Sequence, residues 1–112
     1  MDPWWYFELA AKVAEKQSDK RSHKLGAVGL RSDGVMVAAY NGAAKAEMPQ
    51  IHAEARLCRK MDYYGTVFVA RRTVNGFLLA RPCAACQRTL KSRRVRRVFY
   101  TVSNNEYGVI DL

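Results

Sequence analysis

Acidic side chains are scarce in this chain of 112 residues: 10 Asp and Glu stand against 19 Lys and Arg, a formal net charge of +9. That imbalance favours anionic partners, nucleotide phosphates or a nucleic acid backbone, and it equally describes a soluble surface rich in cations. Charge bears on partners and solubility, not on fold. Long apolar runs are missing as well. None approaches the ~20 residues that a membrane span needs, so no membrane partner is expected. The opening Met1-Asp2-Pro3 is not a basic segment followed by an apolar stretch, so no signal peptide is expected, and the cytoplasm is the expected compartment. There are three cysteines, Cys58, Cys83 and Cys86, and two histidines, His23 and His52. Three cysteines cannot form a closed disulfide set, which excludes a stapled secreted mini-protein and leaves metal binding or catalysis for a Cys-x-x-Cys pair. Repeats and low-complexity segments are absent too. The length and the 49% hydrophobic content fit one folded domain over residues 1–112.

What is present reads as alternating helices and strands. Asp2-Pro3 is a helix start, and Trp5, Leu9 and Val13, with Tyr6, Ala10 and Ala14, recur at i, i+4, i+8, predicting an amphipathic helix over 3–17. "LGAVGLRSDGVMVAAYNG" predicts a hairpin that turns at Ser32-Asp33-Gly34. Helices are expected over 52–62 and about 83–93, and strands over 66–72, 95–102 and 107–112, with a turn at Asn75-Gly76. The order α-β-β-α-β-α-β-β calls for a five-stranded mixed sheet with helices on its faces. The link between the last two strands is too short for a crossover, so the final strand should run antiparallel to its neighbour.

Two segments carry the chemistry: "HAE", His52-Ala53-Glu54, and "PCAAC", Pro82 to Cys86. A Cys-x-x-Cys pair by itself is a redox dithiol, half of a structural zinc site, or two ligands of a catalytic metal. Here His52 falls at the start of one helix, and both thiols fall in the first turn of another. Two thiolates and an imidazole suit zinc and leave a tetrahedral ion one open position for water. The unpaired N–H groups at a helix start stabilise thiolates. Glu54 is not needed as a ligand and is placed to reach that water.

The pattern H-A-E followed by P-C-A-A-C resembles the cytidine and deoxycytidylate deaminase superfamily. The preceding hairpin looks like that of its deoxycytidylate and tRNA-adenosine branches. The resemblance implies a three-layer α/β/α fold of the cytidine-deaminase kind and a zinc-dependent hydrolase. Zn²⁺ would be held by His52, Cys83 and Cys86, and Glu54 would move protons during hydrolytic deamination. Asn41 matches the family position that hydrogen-bonds the substrate nucleoside, and the Ala53 backbone could contact the base. A structural zinc would need a fourth ligand; Cys58 lies on an apolar helix stripe and reads as core, and His23 lies in a polar loop and reads as solvent-facing. A redox pair leaves His-Ala-Glu unexplained.

The expected substrate is a free cytosine-containing nucleoside or nucleotide, converted to the uracil form with release of ammonia. The chain has few elements left over for a strand-binding groove. Its loop "AAKAEMPQI" lacks the longer ligand-bearing insertion of many deoxycytidylate deaminases. The alternative is deamination of cytosine, or less readily adenine, in single-stranded DNA or RNA, favoured by the charge and by Arg81, Arg88, Lys91, Arg93, Arg94, Arg96 and Arg97. A zinc-stabilised binding module would have no use for Glu54. The aromatic "WWYF" at 4–7 exceeds what one small core buries, so a homo-oligomer is expected.

Overall fold

Asp2 begins the first helix, α1 (Pro3–Ala14): its Oδ1 accepts from the Trp4 N–H at 3.0 Å, and Pro3 follows in the first turn, where an N–H is dispensable. The computed structural model describes residues 2–15, 25–40, 53–61 and 64–112. Residues 16 and 17 of the expected first helix, and His23, lie outside those residues; Glu15 is the C-cap of α1.

The hairpin is β1 (Leu25–Leu30) and β2 (Met36–Tyr40). It turns where expected, with Gly34 at φ +89° and Asp33 Oδ1 accepting from the Val35 N–H at 3.0 Å. The helix α2 (Ala53–Cys58) is shorter than the predicted 52–62. Beyond it the Lys60 N–H donates to the Leu57 carbonyl at 2.8 Å and the Met61 N–H to that of Cys58 at 3.4 Å, tight turns that bring Met61 into the core.

After β3 (Thr66–Thr73), the Asn75-Gly76 turn leads into a strand that the sequence pattern did not predict, β4 (Gly76–Leu78). The sheet therefore has six strands among the described residues rather than five. Three residues are too few to display a period of two. Next come α3 (Ala84–Ser92), β5 (Arg97–Thr101) and β6 (Tyr107–Asp111).

The strand order is β2-β1-β3-β5-β6, with β4 paired to β3 off this path. β3 and β5 run parallel, joined through α3, and β6 is antiparallel to β5 as its short connection requires. Alternation along the strands sorts the apolar residues into two layers. Val28, Phe68 and Ala70 meet Phe7 and Ala10 of α1 on one face, while Ala27, Val67, Val69 and Val98 meet Leu57 of α2 and Leu90 of α3 on the other. This is the expected α/β/α sandwich.

α1 approaches the sheet so closely that a β-carbon on Gly26 would run into the Ala10 carbonyl. Arg72 fastens the pair from outside, bonding Glu8 at 2.5 Å and Glu15 at 3.0 Å. Within "WWYF", Phe7 is buried and Tyr6 stacks on Phe68 with ring centroids 4.2 Å apart, but Trp5 is left 54% exposed.

At the far end of α3 the Val95 N–H donates to the Leu90 carbonyl at 3.2 Å and the Arg94 N–H to that of Lys91 at 2.9 Å. That pair of bonds is a Schellman closure, and the residue at its left-handed position is usually glycine. Here it is Arg94, at φ +54°. A side chain in that conformation costs roughly 1 kcal/mol. Tyr64, just before β3, is likewise left-handed at φ +71°.

Candidate catalytic and metal site

The segment that delivers the two thiols is tied down before α3 begins. Thr101, buried at the end of β5, donates its hydroxyl to the Leu78 carbonyl at 2.7 Å and accepts from the Arg71 N–H at 3.4 Å. Its own carbonyl accepts from the Ala80 N–H at 2.9 Å. Arg81 follows, its guanidinium 5.6 Å from the centre of the Tyr100 ring and donating to that hydroxyl at 2.9 Å. The Gln87 side chain then reaches back to the Pro82 carbonyl at 2.9 Å. Residues 78–82 thus cross the carboxyl end of the parallel pair β3 and β5, where open α/β sheets build their sites.

Cys83 is the N-cap of α3, with an extended backbone and a Sγ that accepts from the Cys86 N–H at 3.5 Å. Cys86 stands one turn in and is 1% exposed. All three cysteines are free thiols. Glu54, in the first turn of α2, is 4% exposed, a depth at which a carboxylate is uncommon unless it has a role or a partner. It has partners: the Cys86 thiol shares hydrogen bonds with both Cys83 and Glu54. Burial, first, and then the Glu54 charge push the Cys86 thiol far above the ordinary thiol range. Two thiols one helical turn apart are soft donors of the kind that suit a divalent cation such as zinc when further ligands complete the set.

The sequence-predicted residues are therefore brought together in part. Glu54, Cys83 and Cys86 meet, and Ala53 is buried beside Glu54 at the head of α2. His52 and Asn41 lie outside the described residues, so their positions carry no geometry here. Among the described residues no group of three His, Cys, Asp or Glu side chains could hold a metal ion; the thiols need a further ligand. Cys58 does not stand ready to provide it. It is buried in the core, and desolvation, opposed by Arg93 and assisted by Glu54, pushes its thiol up to about 11.

Two positioning contacts had no signal in the sequence. Arg56 lies 5.1 Å from the Tyr40 ring centre and donates to the Tyr40 carbonyl at 3.2 Å, fixing the end of β2 to α2. Arg81 on Tyr100 does the same for the segment before Cys83. Four aromatic residues are candidates to stack on a base, Tyr40, Tyr64, Phe77 and Tyr100: Tyr40 is half-buried beneath Arg56, Phe77 beneath Arg72, Tyr100 is buried, and Tyr64 is exposed.

The family model for the cytidine and deoxycytidylate deaminase zinc-binding region matches residues 2–102. Among solved structures, the 1.6 Å crystal structure of cytidine deaminase from Burkholderia pseudomallei is similar in fold, with a TM-score of 0.71 at 20% identity, covering 99% of this chain and 93% of that one. No curated protein sequence matches.

Proposed function

The chain belongs to the cytidine and deoxycytidylate deaminase family, and from that premise we propose that it is a zinc-dependent hydrolase that deaminates a free cytosine nucleoside or nucleotide. The observation that carries this reading is the buried Glu54 carboxylate in hydrogen-bond contact with the Cys86 thiol at the start of α3. His52, Cys83 and Cys86 would hold the zinc ion, which supplies the Lewis acidity that makes water a nucleophile near neutral pH.

The chain's own residues do the rest. Glu54 takes the proton released as water adds to the ring carbon bearing the amino group. It passes that proton to the ring nitrogen, then takes the second proton from the newly added hydroxyl and delivers it to the amino group, which leaves as ammonia as the carbonyl forms. Burial suits Glu54 to this shuttle, because a carboxyl shielded from bulk water exchanges protons with the groups positioned beside it. The Ala53 backbone and Asn41 would orient the base.

The distribution of cations supports a monomeric substrate over a strand. α3 rises about 13 Å over its nine residues. Arg93, Arg94, Arg96 and Arg97 follow its last turn, at the end remote from Cys83. Only Arg81 and Arg88 flank the thiols closely in sequence.

The test is a deamination panel of deoxycytidine, dCMP, dCTP and a cytosine-containing single-stranded oligonucleotide at low salt. Conversion of a monomer but not of the oligonucleotide is expected. Conversion of the oligonucleotide alone would replace this reading with polynucleotide deamination.

The exposed Trp5, with Tyr107 and Val109 of β6 also exposed, supports a homo-oligomer. Light scattering at micromolar concentration should give a mass of at least twice 12.7 kDa. A monomer would remove the idea.

A further inference from the structure

We propose that the pole of the sheet opposite the thiol site is a docking surface for single-stranded nucleic acid, centred on Tyr64, Arg94 and Arg96. The pole is defined by the sheet register. Leu30 pairs with Thr66 and Thr66 with Arg97, at the amino end of the parallel strands, whereas Cys83 follows their carboxyl end. The Arg96 N–H donates to the Gly65 carbonyl at 2.9 Å, which carries the β3–β5 pairing one step further and sets Tyr64 beside Arg96.

Tyr64 is 48% exposed, an aromatic ring at a surface where a loop residue would ordinarily be small and polar. The Arg96 guanidinium lies 5.7 Å from the ring centre, and Arg94 donates to the ring hydroxyl at 3.3 Å. Two other cations at this pole are engaged: Arg31 with Asp33 and Arg97 with Asp111, both at 2.9 Å. Arg94 and Arg96 have no carboxylate partner among the described residues. A phosphate could therefore meet their guanidinium groups without breaking an ion pair.

The backbone strengthens the case. Tyr64 and Arg94 are the two non-glycine residues with positive φ among those described, and they touch each other. At both positions glycine would be the easier residue, so the fold carries strain to keep a ring and a guanidinium there. An aromatic platform flanked by two arginines that meet no carboxylate among the described residues suits a chain of bases and phosphates. An anionic membrane or an acidic protein would use the charges but gain little from the ring.

The same strain supplies clean variants, because Arg94→Gly and Tyr64→Gly relieve the backbone while removing the side chain. The probe is a fluorescent oligothymidylate of about 20 nucleotides, which contains no cytosine and so reports nothing of deamination. Anisotropy is followed from about 50 to about 200 mM salt. The parent should bind, with an affinity that falls as salt rises. Arg94→Gly and Arg96→Ala should each weaken binding several-fold and flatten the log–log salt slope by about 0.7, the loss of one phosphate contact. Tyr64→Gly should weaken binding about fivefold or more with the slope unchanged, the loss of one stacked base. Melting temperatures of both glycine variants should equal or exceed that of the parent. No binding at the lowest salt, or binding unaltered in all three variants, overturns the proposal. So does equal capture of heparin or anionic vesicles with no dependence on Tyr64, which would make this a general polyanion surface.

Discussion

Glu54→Gln should lower the deamination rate by about 10²–10⁴-fold, the range that a positioned proton-transfer group contributes, while the protein keeps its fold and its zinc. The substitution keeps the shape of the side chain and its capacity to accept a hydrogen bond from Cys86. It removes the ability to take up a proton and hand it on. Because Glu54 is buried, replacing it with a neutral amide also removes a desolvated charge, so the melting temperature should stay level or rise. The separation of readouts decides the role. Loss of turnover with full metal content marks Glu54 as the proton carrier. Loss of turnover together with metal would make it a ligand, and retained turnover would remove it from the chemistry altogether.

How far such a role can be read from sequence depends on whether the signal is local. The alternation in "TVFVARR" and the Asp33-Gly34 turn are encoded within a few residues, and both elements stand where the pattern puts them. The His-x-Glu and Pro-Cys-x-x-Cys segments are local too, and among the described residues Glu54 and Cys83 both lie close enough to Cys86 to act on its thiol. β4 escaped because it is three residues long and owes its existence to pairing with the end of β3. The C-terminal end of α2 was overextended because good helix formers continue through Met61, whereas packing against the sheet turns the chain sooner.

The arginine run shows the same limit most plainly. Residues 81–97 look like one basic footprint in sequence, but α3 runs through the middle of it and carries its two halves to opposite ends of the sheet. Arg81 became a clamp on Tyr100, and Arg94 and Arg96 gathered around Tyr64. No periodicity distinguishes these fates, because each depends on a partner at least 19 residues away.

Cys86→Ala should abolish zinc binding and, for that reason, lower the melting temperature far more than the lost packing warrants. The thiol is a small buried group, and its replacement by alanine in a metal-free protein should cost only about 1 kcal/mol, close to the removal of one buried methylene-sized atom. Metal binding is linked to folding, so an ion present at about 1,000 times its dissociation constant adds about 4 kcal/mol that the variant forfeits. At roughly 4 °C per kcal/mol for a domain of this size, the total is a drop of about 20 °C. A chelator separates the two contributions. The parent, stripped of metal, should fall most of the way to the variant, and the variant should not respond. Cys83→Ala provides the control, because Cys83 is exposed and contributes little packing: once stripped, that variant should melt close to the stripped parent. Full zinc occupancy in either variant, or a parent indifferent to the chelator, would move the metal away from the start of α3 and leave the Cys83–Cys86 pair as packing alone.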